Sequence, residues 1–210
     1  MKEDDLKIQL LNFLLKKTTK WVFLASEVPF LSMSRFIDLC AGTTRRTYAF
    51  EVKSDKDSLV RLNGQLKDML QSFDYVIVVT TEKHVKNVLK NTPKKVGVYI
   101  SNGIHLKVLR KPKLNEKLNS ISVLSFILKS ELIKAYRSLL PNLNINAFEV
   151  RKIIAKNINQ KEIVKLKRIA LKNKYERRTE VFLKEIGNKI TGDDLEILRS
   201  DFPINLKIAE

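Results

Sequence analysis

The sequence predicts an α/β protein, with a mixed β-sheet core flanked by helices over residues 1–111 and a basic, all-helical region over residues 112–210. Three observations lead there. Up to Arg110, short runs rich in β-branched and aromatic residues alternate with amphipathic segments. One of those runs, DYVIVVT at 74–80, is uninterrupted and apolar, as a strand covered on both faces must be. Pro112 ends that half, and from about residue 117 onward only helical spacing remains.

Residues 4–17 are expected to form a helix, because Leu6, Leu10, Phe13 and Leu14 recur at its period. Asp4 and Asp5 suit its first turn, and Lys16 and Lys17 suit its last. WVFLASEVPFL, SRFIDLCAG and TYAFEVKS follow as a meander of three strands, with a turn from Gly42 to Arg46 between the second and third. SDKDSLVRLNGQLKDMLQSF is expected to be a helix, since Leu59, Leu62, Leu66, Met69 and Phe73 keep the 3.6 period behind a capping stretch at Ser54–Asp57. The buried strand DYVIVVT comes next, then a helix at about 82–91, a strand at VGVYIS, a turn at SNG and a last strand at IHLKVLR. Strand, helix and strand in that order imply a parallel pair joined by a right-handed crossover. Further helices are expected near 118–139, 146–157 and 160–187, the last closed by Gly187.

Composition limits the function. The chain has 210 residues and 44% hydrophobic content, which excludes a collagenous or wholly disordered protein. No apolar run approaches the roughly 20 residues a bilayer-spanning helix needs. The N-terminus opens with acidic residues, unlike a secretory signal or transit peptide, and the one cysteine, Cys40, cannot form an internal disulfide. A soluble protein in a reducing, cytoplasmic compartment is the expectation. Lys and Arg number 40 against 23 Asp and Glu, for a net charge of +17. Such a surplus favours a polyanionic partner, because each neutralised phosphate releases counterions. Nucleic acid is therefore the expected partner, and no membrane is.

The chemistry-bearing residues lie in the predicted strands. Glu27 and Asp38 fall in the first two, and Glu51 and Lys53 in the third. Residues two apart on a strand share a face, so Glu51 and Lys53 project together while Phe50 and Val52 turn into a core. Asp38 and Glu51 both sit among apolar neighbours, where a carboxylate needs a cation or a donor to offset desolvation. Converging carboxylates in such a place suit a hard, oxygen-seeking cation such as Mg²⁺. The bland alternative is an exposed Glu51–Lys53 pair at a sheet edge.

Arg35-Phe36-Ile37-Asp38, then Glu51-Val52-Lys53, then Asp57-Ser58-Leu59-x-Arg61-Leu62-x-x-Gln65-Leu66 and Phe73-Asp74-Tyr75-Val76-Ile77-Val78-Val79 together resemble the PD-(D/E)xK nuclease superfamily. The likeness is greatest to a compact bacterial and phage-borne branch with the pattern E…RxD…ExKSDxDSLxRLxxQ, and it spans about Asp5 to Leu109. It implies a restriction-endonuclease-like fold and a metal-dependent phosphodiesterase using Mg²⁺ or Mn²⁺. By the resemblance, Asp38 and Glu51 would bind the metal, Lys53 would position the nucleophilic water, Glu27 would be an auxiliary acid and Gln65 would reach the site from its helix. Ile37 stands where many relatives have proline, and Met69 where some have tyrosine. DNA is expected as substrate rather than RNA, and pairing among related nucleases leaves a homodimer open. The competing function is a non-catalytic module that binds nucleic acid or protein on the same scaffold.

His84 and His105 lack a second ligand at zinc spacing, and Cys40 suits a small buried hydrophobe. Arg61 is expected on the same helical face as Gln65, contacting phosphate or else pairing with Asp57. Arg45 and Arg46, on a hairpin turn, either touch phosphate or are simply solvated. Between Arg151 and Arg178 eleven Lys and Arg stand against Glu162 and Glu176. Lys165, Lys167, Arg168 and Lys172 are the expected backbone contacts, beside an apolar stripe of Ile163, Leu166, Ile169 and Ala170.

Overall fold

The computed structural model describes residues 1–18, 20–31 and 35–199. The expected second strand opens at Ser34, which lies outside those residues, as do residues 200–210 of the expected helical region. A six-stranded mixed sheet forms the centre, with strands in sequence order. Helix α1 (Glu3–Lys17) leads into β1 (Phe23–Phe30), β2 (Arg35–Gly42) and β3 (Thr47–Lys53), an antiparallel meander. Helix α2 (Leu62–Leu70) carries the chain over to β4 (Tyr75–Thr81), which pairs parallel with β3. Helix α3 (Glu82–Asn91) does the same from β4 to β5 (Gly97–Ser101), and β6 (Leu106–Arg110) returns antiparallel.

Both sheet faces are covered, which is why β4 reads as an unbroken apolar run. On one face Leu62, Leu66 and Met69 of α2 pack on Ile37, Cys40, Ala49, Val76 and Val78. On the other, Leu6, Leu10, Leu11 and Leu14 of α1 pack on Leu24, Leu39, Phe50, Val52 and Ile77. Each such leucine contributes roughly 1.5–3 kcal/mol by leaving water, so α1 is held firmly to the sheet.

The helical region comprises α4 (Ser120–Leu124), α5 (Lys129–Ala135), a 3₁₀ turn (Arg137–Leu139), α6 (Ala147–Asn157), α7 (Gln160–Glu185) and α8 (Gly192–Ile197). The single helix expected near 118–139 is broken because Phe126 leaves it for the sheet, stacking on Phe30 and meeting the edge of Phe73. Helices α4 to α6 and the start of α7 enclose a third core around Val123, Leu132, Val150, Ile154 and Ile163. The rest of α7 returns to the sheet, with Leu171 and Tyr175 in one face's core and Phe182 in the other's. It ends at Glu185 on an extended Ile186, short of Gly187. Helix α8 has no counterpart among the expected helices and starts on a capping box between Thr191 and Asp194. No helix among the described residues is long and apolar enough to cross a membrane.

The face that α7 buries differs from the expected stripe. Its buried residues are Ile163, Lys167, Leu171, Tyr175, Thr179 and Phe182, and Ile169 is exposed. A lysine and a threonine occupy two positions of the inward stripe, so polarity hides its period. Thr179 is placed there by the sheet edge: its Oγ1 accepts from the Leu24 N–H at 2.8 Å and donates toward the Leu24 carbonyl at 3.1 Å. The outward N–H and carbonyl of Leu24 on edge strand β1 thereby find a partner.

Candidate functional site

The site forms where β2 parts from β3. Their ladder runs from Gly42↔Thr47 to Leu39↔Phe50 and goes no further. At the next position Asp38 supplies a side chain in place of the ladder: its Oδ2 accepts from the Val52 N–H at 2.6 Å. Across β1, Glu27 lies between the pairs Ser26↔Leu39 and Val28↔Ile37 and adopts φ of 51°. A left-handed non-glycine residue costs on the order of 1–3 kcal/mol, and such residues cluster at sites where a side chain must be re-aimed. The Glu27 carboxylate accepts a hydrogen bond from Lys7 of α1.

On β3, Glu51 and Lys53 project to the same side, with Lys53 Nζ 2.6 Å from Glu51 Oε1. Phe50 and Val52 face the α1 core, as alternation requires. Glu51 is completely buried, and its Oε2 has no hydrogen-bond partner. Burial pushes its carboxyl pKa up, opposed by the Lys53 ammonium and by the amide of Gln65 on α2. Asp38 is likewise held well above the usual carboxylate range, by burial and by the charge of Glu51, against the pull of the Val52 N–H. The two acids are thus close enough to disfavour each other's ionisation.

Glu3, on the first turn of α1, brings a third acid to Glu27 and Asp38: one carboxylate oxygen from each lies within 4.8 Å of the others. Lys7 sits among them, bonded to Glu27 and at 2.7 Å from Glu3. Burial works against its charge, but the two carboxylates more than offset this and raise its pKa.

The family model of bacteriophage P4 protein cII matches residues 1–199. The chain belongs to that family. Protein cII of Enterobacteria phage P4 is 33% identical over 209 residues, covering 94% of this chain and 78% of that protein. Among solved structures, the SPO1766 protein of unknown function from Silicibacter pomeroyi aligns with a TM-score of 0.44 at 12% identity, over 70% of this chain and 96% of that one.

In this cII family chain Asp38, Glu51, Lys53, Glu27 and Gln65, drawn from three strands and a helix, gather at one end of the β2–β3 pair. Arg61 is exposed at the N-cap of α2, and Asp57, its expected alternative partner, instead accepts from the Ser54 N–H and hydroxyl. The basic residues of α7 lie elsewhere. Lys165, Arg168 and Lys172 line a groove of about 710 Å³ with Lys20, Trp21 and Thr43, and Arg168 donates to the Arg45 carbonyl. That groove is at the β2–β3 hairpin end, and four residues of strand, roughly 13 Å, separate Thr47 there from Glu51. Lys167 does not share that surface. It is fully buried and donates to Thr47 Oγ1 at 2.9 Å and to the Ser72 carbonyl, because the i, i+4 stripe of α7 carries it inward. Arg46 pairs with Asp74 at 3.7 Å. Cys40 is buried, with its thiol pushed up to about 12, and His105 is exposed, whereas His84 is buried on α3.

Glu3 and Lys7 were not among the expected site residues. A signal for them exists, because Glu3 and Lys7 are four apart and Lys7 precedes Leu11 and Leu14 on the buried face of α1. A lysine on the inward face of a helix requires a polar partner opposite it.

Proposed function

We propose that this chain is a metal-dependent nuclease of restriction-endonuclease-like fold that hydrolyses phosphodiester bonds, acting on DNA as an endonuclease in preference to RNA. The observation carrying this reading is Glu51 Oε2, a fully buried carboxylate oxygen with no donor, beside an acid that its charge disfavours. Leaving such an oxygen unpartnered costs at least about 1–3 kcal/mol, which a bound cation would relieve. The donors are all carboxylate oxygens, a set that fits Mg²⁺ or Mn²⁺ and disfavours softer metals. Asp38 and Glu51 would hold the cation, which supplies positive charge against the negative charge that develops on the phosphate oxygens. The Lys53 ammonium, anchored by Glu51 Oε1, orients the attacking water toward phosphorus. The Gln65 amide on the α2 side partly opposes the burial that raises the Glu51 pKa, and Glu27 adds negative charge at the rim of the site.

The test is direct. Purified protein is incubated with supercoiled plasmid, single-stranded DNA and RNA, each with Mg²⁺, Mn²⁺ or chelator. Metal-dependent cleavage, lost in Glu51→Ala and Lys53→Ala with circular dichroism unchanged, is the expected result. An undiminished rate in either variant would retire the mechanism.

A non-catalytic nucleic-acid-binding module is the second reading, favoured by the distance between the acids and the Lys165–Arg168–Lys172 groove. Binding that weakens with salt and with alanine at those three positions, but no cleavage under any metal, would establish it instead.

A further inference from the structure

The acids of the site are not all equally available to a cation. Glu3, Glu27 and Asp38 bring three carboxylate oxygens within 4.8 Å of one another, wide enough for an ion. Lys7 already bonds two of those three. It is held there by its helix, with Leu6, Leu10, Leu11 and Leu14 buried on the same sheet face, and only 3% of its surface meets solvent. Glu51 Oε2, by contrast, has no partner.

We infer that the site accepts a single divalent cation at Asp38 and Glu51, and that the ammonium of Lys7 occupies the place of a second. The inference rests on the metal-dependent reading above and deepens it. Charge supports it. With all four ionised, as cation binding at Asp38 and Glu51 requires, Glu3, Glu27, Asp38 and Glu51 set four carboxylates against the ammonium groups of Lys7 and Lys53, a surplus of two negative charges. One Mg²⁺ or Mn²⁺ neutralises it, whereas two would leave the pocket positive and would place the second ion against the Lys7 ammonium, which is already bonded to Glu3 and Glu27. Lys7 is thus a positioning residue: it fixes Glu3 and Glu27 and limits the number of ions, without touching the reacting phosphate.

The experiment counts ions without relying on turnover. Purified protein is titrated with Mn²⁺, and free Mn²⁺ is followed by electron paramagnetic resonance to give the number bound per chain. Wild type is expected to bind one ion, Lys7→Arg one, and Lys7→Met two. Two ions on wild type would overturn the inference and leave the nuclease reading standing, whereas none would overturn both. A single ion on a Lys7→Met variant with wild-type circular dichroism would also sink it. Should that variant fail to fold, the wild-type count still decides.

Discussion

A buried carboxylate bonded through one oxygen and orphaned at the other persists only if a proton or a cation neutralises it. Glu51 is in that state: the Lys53 ammonium holds one oxygen, the other has no hydrogen-bond partner, and burial and the nearby Glu3 carboxylate raise its pKa. Divalent cation should therefore stabilise the folded chain. At a Mn²⁺ concentration about 100 times Kd, wild type should gain about 2.7 kcal/mol in urea unfolding, and Glu51→Gln should gain nothing. Equal stabilisation of both would place the ion elsewhere. Lys167 makes a second residue-level test. Burial lowers its pKa to about 8, although the Asp74 carboxylate pulls the other way. The unfolded chain therefore binds the extra proton between about pH 8 and 10.5, so stability must rise with pH across that window. Below about pH 8 both states are protonated and the cost of the buried charge is fully present. Denaturation curves from pH 7.5 to 9.5 should show this rise in wild type and lose it in Lys167→Met.

Elements are joined here by side chains that stand in for backbone. Asp38 continues the β2–β3 ladder past its last pair, which lets β2 diverge and open the site without leaving the Val52 N–H unpaired. Thr179 does the same for the outer edge of β1, where the Leu24 N–H and carbonyl would otherwise be buried and unsatisfied. Thr179→Val keeps the shape and removes the donor and acceptor. It should cost about 1–3 kcal/mol in urea unfolding with an unchanged m-value, and a cost near zero would show that water reaches Leu24. The inward stripe of α7 was invisible to periodicity for the same reason. Lys167 and Thr179 are polar in sequence, but they meet their hydrogen-bond partners only after the strands are in place.

Across the whole molecule, the sheet and the helical region depend on each other. Leu171, Tyr175, Phe182 and Leu195 complete the cores on the two sheet faces, and the Ser26 N–H on edge strand β1 donates to the Leu198 carbonyl at 2.7 Å. A chain ending at residue 111 would expose that edge and a large apolar surface. It should aggregate or unfold without cooperativity, as size-exclusion chromatography and thermal melting would show. A monomer with a sharp transition would instead make residues 1–111 an autonomous unit.

Local patterning determined the meander of β1 to β3, the parallel β4–β5 pair and the α1 and α3 positions, because period and turn chemistry act within a few residues of the chain; it overran α2, which starts at Leu62 rather than behind Ser54–Asp57. The pairing of Glu51 with Lys53 was equally legible, since two-residue alternation places them on one face whatever the partners. Tertiary structure alone decided that Lys7 enters the acidic cluster, that Lys167 is buried and that the basic groove lies at the far end of β3. Those outcomes depend on which helix crosses which strand end, a long-range choice made by the summed burial of leucines rather than by any residue's neighbours in sequence.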